Sequence, residues 1–439
     1  QVDGHAYIPN AIEAGSKAIV CESLPTMLIP DITYVVVAKS SQALGNIAAN
    51  FYDHPSTKLK LVAITGTSGK TSTVHLLYGL FKHLGYQVGM LSTIYNKINE
   101  EILPAILTTP DALQLNELLA RMVEKGCQYC FMEASSHAIV QERIAGLQFA
   151  GAVFLNMSHD HLDYHQTFDA YIQAKKKLFD DLPKQAFALY NADDRRGKVM
   201  MQNTQATVHS FAMKSPADFT AKLLANTWQG LALSITGKEV WFRLLGAFNA
   251  YNLLAAYATA CLLGQDSDTV LIALSSLPPI LGRFQCIQAP NKVMFIIDYA
   301  HKPDALEKVL TAIDYIKGTQ AKVITVVGCG GNRDAQKRPL MAKMAVQYSD
   351  QVIFTSDNPR YEDPDAIIEE MMLGLATSQQ RKALSIVDRK NAIKVACQLA
   401  NSGDIVLIAG KGHEAYQEIK GERFLLSDAA IVQEFLIAD

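Results

Sequence analysis

The sequence lacks any long apolar run. Apolar residues make up 49% of its 439 positions, yet no stretch approaches the roughly 20 residues that a helix needs to cross a bilayer. It lacks a basic excess: 40 Lys and Arg face 43 Asp and Glu, a net charge of −3. That balance excludes electrostatic capture of nucleic acid as a main function. No charged and apolar leader opens it, and its first residue is Gln1 rather than Met, which reads as a fragment or a trimmed chain. Cysteines are few, seven scattered positions, which fits reduced thiols in the cytoplasm better than a disulfide framework. Cys127 and Cys130 form a CxxC, but no second pair completes a zinc site, and Tyr129-Cys130-Phe131-Met132 reads as a strand. Buried structural thiols are the expectation there. Repeats and low-complexity tracts are absent. The length exceeds one ordinary core and implies two to three domains.

What is present begins at Gly66-Thr67-Ser68-Gly69-Lys70-Thr71, directly after the apolar run Leu61-Val62-Ala63-Ile64. This reads as a strand, a glycine turn and a helix start, the arrangement that holds a nucleoside triphosphate. Glycines let backbone N–H groups approach phosphate oxygens, and the helix N-terminus adds positive potential. Lys70 can reach the outer phosphates and Thr71 can ligate Mg²⁺; Ser72 follows on the helix. The spacing is short: only Thr67 and Ser68 separate Gly66 from Gly69, where the general pattern would need a glycine at Ile64. The competing reading is a plain strand-to-helix loop.

Three segments follow from patterning. Residues 1–58 are a short mixed unit, with a strand near 34–37 and a helix over 41–51. Residues 59–289 alternate strand and helix, including a helix over 71–84 and strands over 129–133 and 152–155, and imply a mostly parallel sheet. Residues 290–439 start the alternation again, with strands over 292–298, 322–328, 351–356 and 404–410 and helices over 303–316 and 365–375. The fold class expected is α/β: a short N-terminal α/β domain, a central P-loop ATPase-type parallel sheet and a C-terminal Rossmann-like doubly wound domain. Gly328-Cys329-Gly330 begins a dinucleotide fingerprint, but Arg333 stands where the third glycine belongs.

Ligands of open α/β sheets bind at the carboxyl ends of strands, so polar clusters there matter most. Glu133, in Met132-Glu133-Ala134-Ser135-Ser136-His137, closes an apolar strand and reads either as a Mg²⁺ ligand facing Thr71 or as a polar strand end beside a serine cap. Residues 156–165 hold His159, Asp160, His161, Asp163 and His165; a metal-dependent phosphohydrolase and a capped polar loop are both open readings. Lys175, Lys176 and Lys177 on one helix cannot share a face. At least two read as a solvated basic surface, and one can turn toward the metal site. Asn249 and Asn252, at i and i+3, read as a helix cap or as nucleotide contacts. Arg283 suits a transferred phosphoryl group, Asp298 ends a strand, and His301 is a site residue or a helix-start histidine. Three polar loops close the later strands: 330–334 with Arg333, 357–360 with Asp357, Asn358 and Arg360, and 410–414 with Gly410 and Glu414. Arginines for carboxylates and acids for an ammonium fit a zwitterionic amino acid; ordinary turns use the same residues.

Taken together, Thr65-Gly66-Thr67-Ser68-Gly69-Lys70-Thr71 with Glu133, Asn156, His161, Asn249, Asn252, Arg283 and Asp298 resembles the Mur ligase family, ATP-dependent enzymes that add amino acids to the peptidoglycan precursor. Segments 132–137, 298–304 and 410–414 resemble the version that adds the third residue of the stem peptide. Asp357-Asn358-Pro359-Arg360 resembles the form specific for meso-diaminopimelate, whose extra carboxylate Arg360 could grip. The resemblance implies that UDP-N-acetylmuramoyl-L-Ala-D-Glu is activated as an acyl phosphate and then joined to meso-diaminopimelate. ATP would be held by Gly66, Thr67, Ser68, Gly69, Lys70, Thr71, Ser72, Asn249, Asn252, Arg283, Asp298 and His301. One Mg²⁺ would sit on Thr71 and Glu133, and a second near His161 and Lys175, the lysine that matches the one carbamylated by CO₂ in the family. Lys70, His161, Lys175 and Arg283 are the implied catalytic set. Gln1, Val2, Thr108, Thr109, Ser135, Gln141 and Arg143 would hold the UDP-muramoyl dipeptide; earlier uridine contacts of the family precede Gln1. Arg333, Asp357, Asn358, Arg360, Gly410 and Glu414 would hold diaminopimelate. A cytoplasmic monomer with no nucleic-acid partner is expected. A lysine-adding relative, a folylpolyglutamate synthetase-like ligase and a non-catalytic nucleotide-binding relative are the alternatives.

Overall fold

A computed structural model describes residues 3–438. Near the N-terminus, strands Ala18–Cys21 and Thr33–Val36 pair in parallel and helix Ser40–Phe51 follows. The small core there is built on Ile8, Ile19 and Cys21. Gln1 and Val2, expected to touch the UDP-sugar, lie outside the described residues.

An eleven-stranded sheet comes next. At its centre strand Lys60–Thr65 runs parallel to Tyr129–Glu133 on one side and Gly151–Phe154 on the other. Leu61, Val62, Ala63 and Ile64 are all fully buried, because helices cover both faces. Side chains alternate across a strand. Val62 and Ile64 pack with helices Lys70–His83 and Ala247–Leu262, whereas Leu61 and Ala63 pack with Ala112–Glu124 and Phe168–Asp180. Both sheet edges turn antiparallel. On one side Phe219–Thr227, Gly230–Ile235 and Lys238–Phe242 form a meander, which the pattern of the sequence did not announce.

A six-stranded sheet completes the chain, in the order Gln285–Gln288, Met294–Asp298, Ile405–Ala409, Val323–Val327, Gln351–Phe354, Ala383–Ser385. Only its first pair is antiparallel. A fully buried ion pair, Arg389 to Asp428 at 2.8 Å, ties the last helix to this sheet. The fold is therefore α/β with parallel-dominated sheets. No described helix is long and apolar enough to cross a membrane. The described cysteines are all free thiols, with Cys127 and Cys130 buried.

Candidate active site

Strand Lys60–Thr65 delivers the chain into residues 66–69, and Gly69 caps helix Lys70–His83 with φ +89. A side chain at Gly69 would be strained by that φ and would collide with the Asn252 amide oxygen, so glycine is required there. Asn156, from the end of the neighbouring strand, braces the turn: it accepts from the Ser68 N–H at 2.9 Å and donates to the Ser68 carbonyl at 3.0 Å. Lys70 curls back, its Nζ donating to the carbonyls of Gly66 at 2.8 Å and Thr67 at 3.1 Å. Burial pulls its pKa down to about 8, against the attraction of Glu133.

Lys175 reaches the same turn from helix Phe168–Asp180. Its Nζ donates to Thr65 Oγ1 at 3.3 Å and to the Gly66 carbonyl at 3.1 Å, and lies over the Tyr171 ring. Burial lowers its pKa well below the ordinary lysine value. The expectation that at least two of the three lysines form a solvated surface does not hold. Lys176 is also buried, paired with Asp180 at 2.6 Å, and only Lys177 is substantially exposed. The helix packs on two sides, so two of its three directions point inward.

Glu133 is 1% exposed. Its Oε1 accepts from the Thr93 N–H at 2.8 Å and the Thr93 hydroxyl at 3.1 Å. Among the described residues no cationic side chain forms an ion pair with it. A buried carboxylate answered only by neutral donors is suited to a metal cation. Thr71 presents its hydroxyl from the first turn of the nucleotide helix and accepts from Arg283 at 3.1 Å. No group of three His, Cys, Asp or Glu able to hold a metal occurs among the described residues; a Mg²⁺ held by one or two protein oxygens plus phosphates needs none. His161 lies 3.2 Å from Asp160 and edge-on to His137. Burial, then Lys302, lowers its pKa to about 3, leaving the neutral imidazole that can ligate a metal.

The later half of the chain closes over this face. Arg283 stacks on the Tyr299 ring at 4.5 Å while reaching Thr71. Asp298 accepts from the N–H groups of Phe284 and Ala300 at 2.7 and 2.8 Å. His301 Nδ1 pairs with the Tyr299 carbonyl at 2.8 Å, and its neighbour Lys302 forms an ion pair with Asp160 across the two sheets. Asn249 and Asn252 are buried but do not cap the helix. Asn249 donates to the Leu245 carbonyl at 2.7 Å and Asn252 donates to Asn249 at 2.9 Å; Gly246 holds the cap position without a side chain.

A second network gathers Thr108, Thr109, Ser135, Gln141 and Arg143. Thr109 donates to the Glu133 carbonyl at 2.7 Å and accepts from the Ser135 N–H at 3.2 Å. Arg143 donates to Gln141 Oε1 at 3.0 and 2.6 Å and to the Thr109 carbonyl at 2.8 Å. Thr108 meets Thr93 at 3.2 Å. These residues lie up to 35 positions apart in the sequence, and Thr109 ties them to the strand that carries Glu133.

The third site joins the three polar loops of the last sheet. Arg360, at φ +53, donates from one terminal nitrogen to the Gly331 carbonyl at 2.8 Å, and its Nε lies 3.5 Å from Glu418. Asn358 donates to Glu414 at 2.9 Å and accepts from Lys411 at 3.0 Å. Asp357 is 8% exposed, and its Oδ2 has no hydrogen-bond partner. Gly410 has φ +113, and a Cβ there would stand 2.8 Å from that oxygen. Arg333 is exposed beside this cluster. The sequence reading missed Lys411, Gln417 and Glu418. Lys411 stood inside a loop already singled out, but the hairpin Tyr416–Ile419 and Glu422–Leu425 that brings Gln417 and Glu418 over residues 357–360 gave no sequence signal.

The family models settle the relationship. The Mur ligase middle domain matches residues 64–260, and the Mur ligase glutamate ligase domain matches 282–412. The chain belongs to the Mur ligase family. It is thus an ATP-dependent amide ligase. Curated Mur ligases similar to it include the UDP-N-acetylmuramoyl-L-alanyl-D-glutamate–2,6-diaminopimelate ligase of Cytophaga hutchinsonii, 56% identical over 99% of this chain and 89% of that one. The Bacillus velezensis enzyme of the same name is 40% identical over 99% and 89%. A solved structure of a ligase so named superposes with TM-score 0.69 at 34% identity, covering 99% of this Mur ligase and 89% of that chain. A folylpolyglutamate synthase of Mycobacterium tuberculosis solved with ADP and AMPPCP reaches TM-score 0.69 at 16% identity over 85% and 93%, which shows a shared fold.

Proposed function

We propose that this Mur ligase adds meso-diaminopimelate to UDP-N-acetylmuramoyl-L-Ala-D-Glu in peptidoglycan precursor synthesis. The observation that carries this reading is the acceptor cluster, where Arg360, Asp357, Asn358 and Glu414 converge from loops distant in sequence. Arg360 offers a guanidinium for the distal carboxylate, while Asp357 and Glu414 offer oxygens for an ammonium. The names of the 56% and 40% identical relatives support the same substrates.

In this reading the N–H groups of residues 66–72 and Lys70 bind the ATP phosphates, Lys70 leaving its own loop carbonyls for the ligand. Thr71 and Glu133 would hold one Mg²⁺, and His161 with Lys175 a second; the ions would supply charge neutralisation around the transferring phosphoryl group. Lys175 would be the carbamylated lysine; burial lowers its pKa and so favours the neutral amine that reacts with CO₂. Asn249, Asn252, Asp298 and His301 border the nucleotide, and Arg283 bridges the two halves of the site. The network around Thr109, Ser135, Gln141 and Arg143 faces the muramoyl dipeptide. The dipeptide carboxylate takes the γ-phosphoryl group, the acceptor amine attacks the resulting acyl phosphate, and phosphate leaves. Segments 1–58, 59–289 and 290–439 would act as three domains whose closure brings acceptor to acyl phosphate. In this reading the enzyme acts as a monomer. The free thiols support a cytoplasmic enzyme.

The test is phosphate release with UDP-N-acetylmuramoyl-L-Ala-D-Glu, ATP and either meso-diaminopimelate or lysine. Turnover with diaminopimelate, and far less with lysine, is expected. Equal efficiency with lysine overturns the acceptor assignment.

A further inference from the structure

Glu142 stands between Gln141 and Arg143, yet none of the chemistry above uses it. It is an acid with φ +57, a backbone region that costs a non-glycine residue energy. It is also buried, 4% exposed. Two lysines meet its carboxylate. Lys39 Nζ lies 2.6 Å from Oε1, and Lys177 Nζ lies 3.7 Å from Oε2. Lys39 caps helix Ser40–Phe51 of the N-terminal unit, and Lys177 is two residues from Lys175 on its helix. The same junction is closely packed: an added Cβ at Gly146 would stand 2.9 Å from the Gly45 carbonyl. A strained, buried acid therefore joins three separate parts of the chain, between Gln141 and the Arg143 that grips both Gln141 and the Thr109 carbonyl.

We propose that Glu142 is a positioning residue for the UDP-muramoyl dipeptide, locking the N-terminal unit and the Lys175 helix to the Gln141–Arg143 turn. This rests on the reading that Gln141 and Arg143 face that substrate. The turn itself would be satisfied by glycine, which adopts this φ freely. What glycine cannot supply is the carboxylate that fixes the turn to Lys39 and Lys177. The strain is thus retained at a place where only the ion pairs give a reason for it.

The experiment compares Glu142→Gly, Glu142→Gln and Lys39→Met with the unaltered protein, in steady-state phosphate release and thermal melts. Turnover by the unaltered protein with the dipeptide and meso-diaminopimelate tests the underlying reading, and its absence sinks that reading. Given turnover, the KM for the UDP-muramoyl dipeptide should rise about tenfold in Glu142→Gly and in Glu142→Gln. The KM values for ATP and diaminopimelate should move less than about twofold in the same variants. Lys39→Met should raise the same KM, and adding it to Glu142→Gln should raise it no further. A purely structural turn predicts the reverse for Glu142→Gly: an unchanged dipeptide KM with an equal or higher melting temperature. That outcome, or equal KM changes for all three substrates, overturns the proposal.

Discussion

The glycine turn proposed for phosphates and the polar pocket proposed for the acceptor are built from opposite materials. Around Gly66–Gly69 the contacts are mostly backbone, and the cations present fold onto carbonyls of the turn itself: Lys70 on Gly66 and Thr67, Lys175 on Gly66. Around Asp357–Arg360 the contacts are side chains held by other side chains: Asn358 to Glu414 and to Lys411, Arg360 beside Glu418. A backbone cradle recognises what every nucleoside triphosphate shares. A side-chain pocket can distinguish one amino acid from another, because an unmatched buried polar group is costly there. On the proposed reading, the contrast puts generic chemistry in the central sheet and specificity in the last one. The same fold, at 16% identity, occurs in a folylpolyglutamate synthase.

The sharpest way to break this division is at Lys175. Its amine is buried and its pKa is pushed down by that burial, so folding is burdened by it. Lys175→Met should lower turnover by about a thousandfold if the residue serves the phosphoryl-transfer site. The same variant should melt higher than the unaltered protein, by the equivalent of about 1 kcal/mol or more. Affinity for diaminopimelate, measured by calorimetry in the presence of a nonhydrolysable ATP analogue, should be untouched. A variant that melts lower and keeps its turnover would show that Lys175 is a packing residue.

Arg360 tests the other side. Lysine keeps the charge but loses the fork that pairs two oxygens at once. Arg360→Lys should raise the KM for diaminopimelate about 30-fold, near 2 kcal/mol, while the KM for ATP stays within about twofold. Equal loss of both would place Arg360 in the general architecture rather than in acceptor recognition.

The same contrast decides what could be read in the sequence. The strand Tyr129–Glu133 and the helix Pro303–Ile316 have the bounds that periodicity and flanking polar residues give. The glycine turn was legible because backbone conformation forces the residue type at Gly69. For the asparagines at 249 and 252 the cap and nucleotide readings stayed open, because spacing shows which face they share but not which carbonyl lies within reach; the cap alternative drops out, since Asn249 reaches the Leu245 carbonyl. Lys176 was misread because the helix is covered on two sides, a tertiary fact that one periodicity cannot carry. Thr93 as the support of Glu133 was invisible, since 40 residues separate them. Side-chain pockets assembled from distant loops leave only loose polar clusters in a sequence, and the residues proposed for the acceptor stood out only as such a cluster.

Glu418 gives the finest cut. It belongs to a hairpin strand that lies along residues 357–360: the Arg360 N–H donates to the Glu418 carbonyl at 3.0 Å, and the Lys420 N–H donates to the Arg360 carbonyl at 2.7 Å. Its carboxylate stands 3.5 Å from Arg360 Nε with both side chains partly exposed. Water screens such a pair, so its direct energy is small, about 0 to 1 kcal/mol. Its effect on acceptor choice should come through orientation: with Nε held by Glu418 and one terminal nitrogen on Gly331, the guanidinium has a single remaining direction in which to meet a carboxylate. Glu418→Gln should therefore raise the KM for diaminopimelate about threefold and leave turnover at saturation unchanged. The effect should also shrink as salt is raised from low to physiological ionic strength, because the Debye length falls to about 8 Å. A loss of turnover without any change in KM would mean that the hairpin acts on closure of the domains, and the division between cradle and pocket would have to be redrawn at that strand.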